Sequence, residues 1–166
     1  DIIVRQLERS ETMALDGIIL AQLCIELKEA LPLRINKIYQ ISNTELLFQC
    51  RGKEKKTLLI SAHSLYNRIC YTKKSYPTPE SPSPFVMLLR KHLENGMMIS
   101  IEQGGLDRWL DITIVIRNEI GDKVHRHLYV ELMGKYANVI LVDEHEKILD
   151  ALKRIPPFQN NQRTIQ

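Results

Sequence analysis

Asp107, Arg108 and Trp109 stand together where a pair of glycines gives way to a strand-like run. An arginine guanidinium offers a planar fork of donors to phosphate groups or base edges, and an aspartate accepts hydrogen bonds from amines and hydroxyls. Residues 110–117 alternate apolar and polar side chains, which predicts a strand with one buried face. The glycines at 104–105 supply the turn before that strand. Asp107 and Arg108 are therefore expected at the start of a strand, where they either contact a partner or stabilise the turn.

Two basic groups along the chain suit an anionic partner, and aromatic residues accompany the second group. The first group falls on a predicted hairpin and the second precedes a proline-rich loop. Solvated turns and phosphate contact both account for such groups. The neighbouring tyrosines have rings that can stack on unpaired bases. The first group is Arg51, Lys53, Lys55 and Lys56, and the second is Lys73 and Lys74, beside Tyr71 and Tyr76.

Two motifs that contain histidine resemble metal-binding or nucleophilic arrangements. His125 and His127 stand two residues apart on a predicted strand and so face the same side, but no cysteine or carboxylate triad accompanies them. Ser61, His63 and Ser64 lie close in sequence, yet no GxSxG elbow surrounds either serine. A solvated strand face and an ordinary loop are the favoured interpretations.

The sequence also lacks a close carboxylate pair and a phosphate-binding loop. Asp107 and Asp111 would lie roughly 13 Å apart on a strand, which is too far for a catalytic pair. Neither GxGxxG nor GxxxxGK(S/T) occurs. We therefore predict a protein that is not an enzyme, with no catalytic residues, no metal site and no cofactor.

Composition indicates one ordinary soluble domain that tolerates anionic partners. The 166 residues are 44% apolar and 26% charged, and the formal net charge is +3. That charge permits a nucleic-acid partner without requiring one. The three cysteines form no CxxC spacing, so they are expected to be core thiols in a reducing compartment. No apolar run approaches the roughly 18 residues of a membrane span and no signal peptide is recognisable, so we expect a cytoplasmic protein without a membrane partner.

Hydrophobic periodicity divides the chain into two helices and a series of short strands. Asp16 can cap a first helix, in which apolar residues recur at three- and four-residue spacing from Ile19 until Pro32 ends it. Ser83 begins a second helix, and the proline-rich segment 73–84 is expected to be an exposed loop. The sum is an α+β fold: a predominantly antiparallel β-sandwich of about eight strands with two flanking helices. The expected strands are 33–41, 45–51, 56–60, 68–72, 97–102, 109–118, 124–132, 138–142 and 147–151.

Three ordered motifs resemble the N-terminal domain of the NFACT family. They are Met13-Ala14-Leu15-Asp16-Gly17, the turn Gly105-Leu106-Asp107-Arg108, and the segment ELMGKYANVILVD at 131–143. The resemblance extends from residue 13 to residue 166. We accordingly expect an upstream extension at 1–12, an NFACT N-terminal domain at 13–155 and a linker toward further domains at 156–166.

The resemblance implies a ribosome quality-control factor whose bacterial members, the RqcH-type factors, were long labelled fibronectin-binding proteins. Such a factor binds large ribosomal subunits obstructed by peptidyl-tRNA and recruits alanyl-tRNA for alanine tailing of the stalled chain. The family's tRNA-contacting Asp-Arg motif maps onto Asp107 and Arg108. We expect Lys53, Lys55 and Lys56 to add salt-dependent affinity. The family also implies a fold like that of the N-terminal domain of formamidopyrimidine-type DNA glycosylases.

Two other functions, of different classes, follow from the same resemblance. The older family label implies a surface adhesin that binds fibronectin, although the sequence shows no export signal, sorting motif or repeats. The glycosylase likeness implies DNA repair, but that chemistry needs an N-terminal proline followed by glutamate. The segment Met13-Ala14-Leu15 has neither residue, so we predict no glycosylase activity.

Overall fold

Nine strands form one antiparallel sheet in the computed structural model, which describes residues 17–79, 81–105 and 107–154. The predicted extension 1–12, the predicted cap Asp16 and the predicted linker 156–166 lie outside the described residues. The strands are β1 Leu33–Ser42, β2 Glu45–Arg51, β3 Lys55–Ser61, β4 Arg68–Tyr71, β5 Met97–Gln103, β6 Trp109–Arg117, β7 Lys123–Glu131, β8 Asn138–Val142 and β9 Ile148–Ala151. Their order across the sheet is β4-β3-β2-β1-β5-β6-β7-β8-β9. Each strand lies within one or two residues of its predicted position.

The sheet is continuous, so the predicted β-sandwich is wrong, whereas the α+β class and the antiparallel pairing are confirmed. Two residue pairs, Leu33 with Met98 and Arg34 with Met97, join β1 to β5. Buried side chains from both halves of the sheet nevertheless belong to one core. Sequence periodicity identifies a strand and its buried face, but not which non-consecutive strands pair, and that pairing decides between one sheet and two. The likeness to the glycosylase domain stays a prediction.

The first helix, α1, is described over residues 17–29 and packs on the sheet through one face. Its fully buried residues recur at three- and four-residue spacing, as an amphipathic helix requires. The predicted place of Ile19 on that face is wrong, because 62% of this residue is exposed. Ile19 lies at the edge of the buried face and lines a cleft beside the helix. The buried residues are Leu20, Cys24 and Leu27.

The second helix, α2, spans Pro84–Leu93 and begins as predicted. The Ser83 side chain accepts a hydrogen bond from the backbone N–H of Val86 at 3.1 Å, which is an N-cap contact. The proline-rich segment before it contains no helix or strand over 72–79 and 81–83, as predicted. Within the described ranges, neither helix combines the length and apolar character needed to cross a membrane.

The cysteines are free thiols, and two of them lie in the core as predicted. Cys24 and Cys50 are buried, whereas Cys70 is half-buried. Burial raises the pKa of the Cys50 thiol to about 12. A thiol held protonated in this way is a poor nucleophile, so Cys50 is a packing residue.

Candidate nucleic-acid interface

The turn between β5 and β6 is shaped by two glycines and the only tryptophan of the chain. A Cβ atom at Gly104 would overlap the Trp109 ring, so glycine is required for the ring to lie across the turn. Gly105 has a φ of 63°, in the left-handed region that glycine enters without strain. The Trp109 ring is half-buried and meets Tyr129 edge to face, with the ring centres 6.0 Å apart. Trp109 is therefore a packing residue that holds the turn.

Asp107 and Arg108 follow this turn and are held by backbone hydrogen bonds. The Asp107 N–H donates to the Gly104 carbonyl at 3.1 Å, and the Asp107 carbonyl accepts from Gln103 Nε2 at 2.7 Å. The Arg108 carbonyl accepts from the N–H of Leu132 at 2.7 Å. Asp107 is exposed and Arg108 is half-buried. Backbone hydrogen bonds thus hold both residues directly before β6, where the sequence predicts them.

Arg108 lines a cleft of about 480 Å³ at the start of α1. Gln103 Nε2 also donates to the Gly17 carbonyl at 3.0 Å, which ties the helix to the turn. Arg68 of β4 is a second cation in the cleft, and most of the other described lining residues are apolar. A cationic cleft with apolar walls suits a planar, anionic group that leaves water. The remaining lining residues are Ile19, Leu20, Leu23, Ser64, Leu65, Asn67, Ile69, Leu132 and Gly134.

The loop between β3 and β4 forms one wall of the cleft and presents an aromatic ring to solvent. His63 Nδ1 accepts hydrogen bonds from the N–H groups of Leu65 at 3.1 Å and Tyr66 at 3.3 Å. Asn67 Nδ2 lies 3.4 Å from the Gly134 carbonyl, so the loop is joined to the turn before β8. The Tyr66 ring is 72% exposed and stacks on His63, with the ring centres 5.2 Å apart.

Sequence reasoning did not single out Tyr66 or Arg68. Neither residue stands in a spacing pattern. The fold places Arg68 in the cleft with Arg108, and Tyr66 lies in the β3–β4 loop between two lining residues, Leu65 and Asn67. His63, by contrast, stands near Ser61 and Ser64 in the sequence, a grouping that only superficially resembles a nucleophile arrangement. Its ring nitrogen is occupied by loop N–H groups, so His63 shapes the loop that carries Tyr66.

The predicted lysines do not lie at this cleft. Lys53, Lys55 and Lys56 belong to the β2–β3 hairpin, and the first and last of them line a separate cavity of about 690 Å³ together with the C-terminal part of α1. The helical residues 17–29 span roughly 20 Å, so Arg108 and these lysines lie at opposite ends of α1. The residues that the sequence predicts for one nucleic-acid interface therefore lie in two separate regions of the fold.

Tyr71, which the sequence offers as a base-stacking residue, is occupied by contacts within the protein. Its hydroxyl donates to the Leu27 carbonyl at 2.7 Å, and the Lys56 ammonium lies 5.5 Å from its ring centre. Burial raises the pKa of Tyr71 to about 12. Tyr71 therefore anchors the lysine-bearing hairpin to α1, and Tyr76 is half-buried in the loop that follows β4.

The two histidines of β7 have different surroundings in the structure. His127 Nδ1 lies 2.8 Å from Asp111 Oδ1, and its ring stacks on Tyr129 with the centres 6.0 Å apart. His125 is exposed. Over 17–79, 81–105 and 107–154, no group of three or more His, Cys, Asp or Glu side chains is arranged to hold a metal ion. The Asp111–His127 pair stabilises the pairing of β6 with β7.

Known proteins resemble this chain in both sequence and fold. The family model for the NFACT N-terminal and middle domains matches residues 16–166. The Rqc2 homolog RqcH of Bacillus subtilis is 44% identical over 156 residues, which cover 92% of this chain and 27% of that protein. Ribosome quality control complex subunit 2 of Saccharomyces cerevisiae is 34% identical over 143 residues, or 86% of this chain and 13% of that protein. The N-terminal structure of the Streptococcus suis fibronectin/fibrinogen-binding protein matches with a TM-score of 0.86 and 37% identity, over 90% of this chain and 57% of that one.

The chain therefore belongs to the NFACT family, which confirms the resemblance predicted from its motifs. Within that family, its curated relatives carry the names of ribosome quality-control factors. The chain spans about a quarter of the length of the Bacillus subtilis relative.

Proposed function

We propose that this chain is the tRNA- and ribosome-binding module of a ribosome quality-control factor and performs no catalysis itself. The observation that carries the proposal is the cleft at the start of α1 that Arg108 and Arg68 line together with apolar side chains. Tyr66, which is exposed, lies in the β3–β4 loop between two residues of that lining, Leu65 and Asn67. Guanidinium donors, an acceptor at Asp107 and an open aromatic face are together the groups that bind an unpaired nucleotide.

Each residue of the Asp-Arg turn has a distinct role in this proposal. Arg108 donates hydrogen bonds to a phosphate or to a base edge, and its planar fork favours a bidentate contact. Asp107 accepts a hydrogen bond from an exocyclic amine or a ribose 2′-hydroxyl. Because backbone hydrogen bonds hold both positions, little conformational entropy is lost when RNA binds.

At the level of the whole factor, the proposed partners are large ribosomal subunits obstructed by peptidyl-tRNA, and alanyl-tRNA. The names of the curated relatives support a role at the ribosome. In this proposal the chain contributes RNA contact, and the alanine tailing belongs to the complete factor. Lys53, Lys55 and Lys56 contribute phosphate contacts that weaken as salt rises.

The test is the double substitution Asp107→Ala and Arg108→Ala in the full-length protein. We expect less co-purified tRNA and less alanine tailing, with the fold retained as judged by circular dichroism. The matched control is Glu119→Ala with Lys74→Ala, which removes one acid and one base at exposed positions outside the cleft. Unchanged tailing in the Asp107 and Arg108 variant would contradict the proposal.

The single substitution Arg108→Lys tests the geometry of the contact. It keeps the positive charge but removes the planar fork of donors. We expect tRNA binding to fall by about tenfold or more, within the range typical of a lost bidentate contact. Full retention of tRNA binding would mean that Arg108 acts only through its charge.

A second candidate function is binding of fibronectin, and one observation favours it. The Streptococcus suis protein whose N-terminal structure matches this chain is named a fibronectin/fibrinogen-binding protein. The test is binding of the chain to immobilised fibronectin, with and without competing tRNA. Saturable binding that the Asp107 and Arg108 substitutions leave intact would support this second function.

A further inference from the structure

A row of basic side chains crosses the sheet at the end opposite the Arg108 cleft. Strand pairing places each member directly opposite the next, so all of their side chains lie on one face. The exposed residues of this row lie on β3, β2, β1 and β7, separated by two apolar residues on β5 and β6. In order, the row is Lys55, Arg51, Arg34, Met97, Val115 and His125.

The three cations at the start of the row stand directly opposite one another, and opposed like charges weaken a sheet. Arg34 and Arg51 also line the cavity of about 690 Å³, whose described lining includes Glu26, Glu29 and Glu54. Arg34 donates to the Asn95 carbonyl at 2.9 Å. Among the described residues, no ion pair neutralises Arg51 or Lys55. An anionic partner would relieve the repulsion.

The row continues into a groove of about 850 Å³, in whose described lining basic residues outnumber acidic ones. Arg117 and Lys123 are directly opposed on β6 and β7, and Lys91 joins them from the end of α2. Glu94 is the only carboxylate among the described lining residues, and it lies 3.8 Å from Arg90, which compensates its charge. The described lining includes no Tyr, Phe or Trp ring, so the groove suits phosphates rather than bases.

We propose that this basic row and groove bind the phosphate backbone of RNA and form a second contact surface, separate from the Arg108 cleft. Six neighbouring strands extend about 24 Å across the sheet, which is long enough to meet several successive phosphates. The Lys55 of the hairpin then belongs to this surface and not to the cleft. The inference rests on the proposed RNA-binding function and adds where the backbone of that RNA lies.

The test compares three variants of the chain in binding a fluorescein-labelled RNA hairpin with an unpaired loop. The first variant carries Arg51→Gln, Lys91→Gln and Lys123→Gln, since the side chains of these three residues form no hydrogen bond or ion pair within the described structure. The second carries Asp107→Ala and Arg108→Ala. The control removes the same charge as the first at Lys37, Lys73 and Lys74, exposed residues that line neither the groove nor the cleft. Affinity is measured by fluorescence anisotropy from about 50 to 200 mM salt.

We expect the groove variant to lower the slope of log affinity against log salt by about 2 to 3, because each lost phosphate contact contributes about 0.7 to 0.9. The control variant should change the slope by less than about 1. An unchanged slope in the groove variant, or an equal decrease in the control, would overturn the inference. Circular dichroism of each variant verifies that the fold is retained.

The same experiment separates this inference from the proposed function of the cleft. One outcome is that the groove variant makes the slope of log affinity against log salt less steep while the Asp107 and Arg108 variant binds RNA normally. That result would support the second surface and contradict RNA binding by the cleft. If the cleft variant alone loses affinity, the cleft stands and the second surface falls. Binding of the chain to phosphatidylserine vesicles through the groove, without binding of RNA, would also overturn the inference.

Discussion

The two ends of α1 present contrasting surfaces. At its start, the cleft holds two arginines among apolar residues, next to the exposed Tyr66 ring. Beyond its other end, the basic groove holds Arg34, Lys91, Arg117 and Lys123, and its described lining has no Tyr, Phe or Trp. The first surface can distinguish a base by stacking and by directed hydrogen bonds, whereas the second offers mainly charge.

If both surfaces bind RNA as proposed, one domain separates the positioning of the nucleic acid from the recognition of its bases. Phosphate contacts place a nucleic acid in register but carry no sequence information, and base contacts provide that information. In the proposed arrangement, the groove supplies salt-dependent affinity and the cleft supplies selectivity. Substitutions at each surface should show whether the cleft and the groove bind RNA independently.

The largest effect is expected from Gly104→Ala. The new methyl group overlaps the Trp109 ring, so the ring must leave its place on the turn. We expect the free energy of unfolding to fall by roughly 1 to 3 kcal/mol, which is typical of overpacking. The emission of the single tryptophan should shift to longer wavelength, and cleft binding of RNA should weaken.

Gly105→Asn is the matched control for this substitution. Asparagine tolerates the left-handed φ of 63°, and no atom lies within 4 Å of a Cβ at that position. We expect normal tryptophan emission and near-normal stability. If Gly104→Ala also makes the dependence of log affinity on log salt less steep, the cleft and the groove are coupled and do not act as independent surfaces.

Tyr66→Ala should produce the next largest effect. A base stacked on an aromatic ring contributes about 1 to 3 kcal/mol, so affinity for RNA with unpaired bases should fall by roughly 5- to 150-fold. Affinity for a fully paired RNA duplex should stay the same, because that ligand reaches only the groove. Tyr66→Phe keeps the ring and should restore binding, and Met87→Ala, at another exposed apolar residue, serves as control. Equal losses for both RNA forms would argue against stacking.

A smaller effect is expected from alkaline pH at the groove end. Tyr71 has a pKa of about 12 in the folded chain, against 10.0 for an unperturbed tyrosine. The unfolded state therefore loses this proton first, and the contribution of Tyr71 to stability declines as pH rises from about 10 toward 12. Because the ring is partly solvated, we expect a loss of about 1 kcal/mol or less by pH 11. Urea unfolding at a series of pH values should show a shallower decline for Tyr71→Phe, and parallel curves would contradict the assignment.

The smallest effect is expected from Glu94→Gln. Removing the carboxylate from the groove should strengthen RNA binding by about two- to fivefold, since one repulsive charge near phosphate is lost. The free energy of unfolding should change by less than about 0.5 kcal/mol, because the partly exposed pair with Arg90 contributes little. Glu102→Gln removes an acid that lines neither surface and serves as control. Equal gains for both substitutions would show that net charge alone is responsible.

Much of the local structure could be predicted from the sequence because the signals are local. The alternation in 110–117 predicts β6, Ser83 and Pro84 predict the start of α2, and the glycines at 104–105 predict the turn before Asp107. Each of these depends on backbone preferences and on burial of one face, both of which are expressed within a few residues.

The composition of the two surfaces, by contrast, depends on residues that are distant in sequence. Arg68 and Arg108 meet only because the β3–β4 loop folds against the start of α1. Arg34 and His125 share one row only because β1 pairs with β5 through two residue pairs. No local pattern encodes such pairing.

The sequence by itself determined the strands, the helices, the family and the Asp-Arg turn. The tertiary structure alone decided that the sheet is single, that the predicted lysines lie across the molecule from Arg108, and that Tyr66 stands at the cleft. The physical reason is that periodicity and turn chemistry act within short segments, whereas the pairing of non-consecutive strands follows from packing of the whole core.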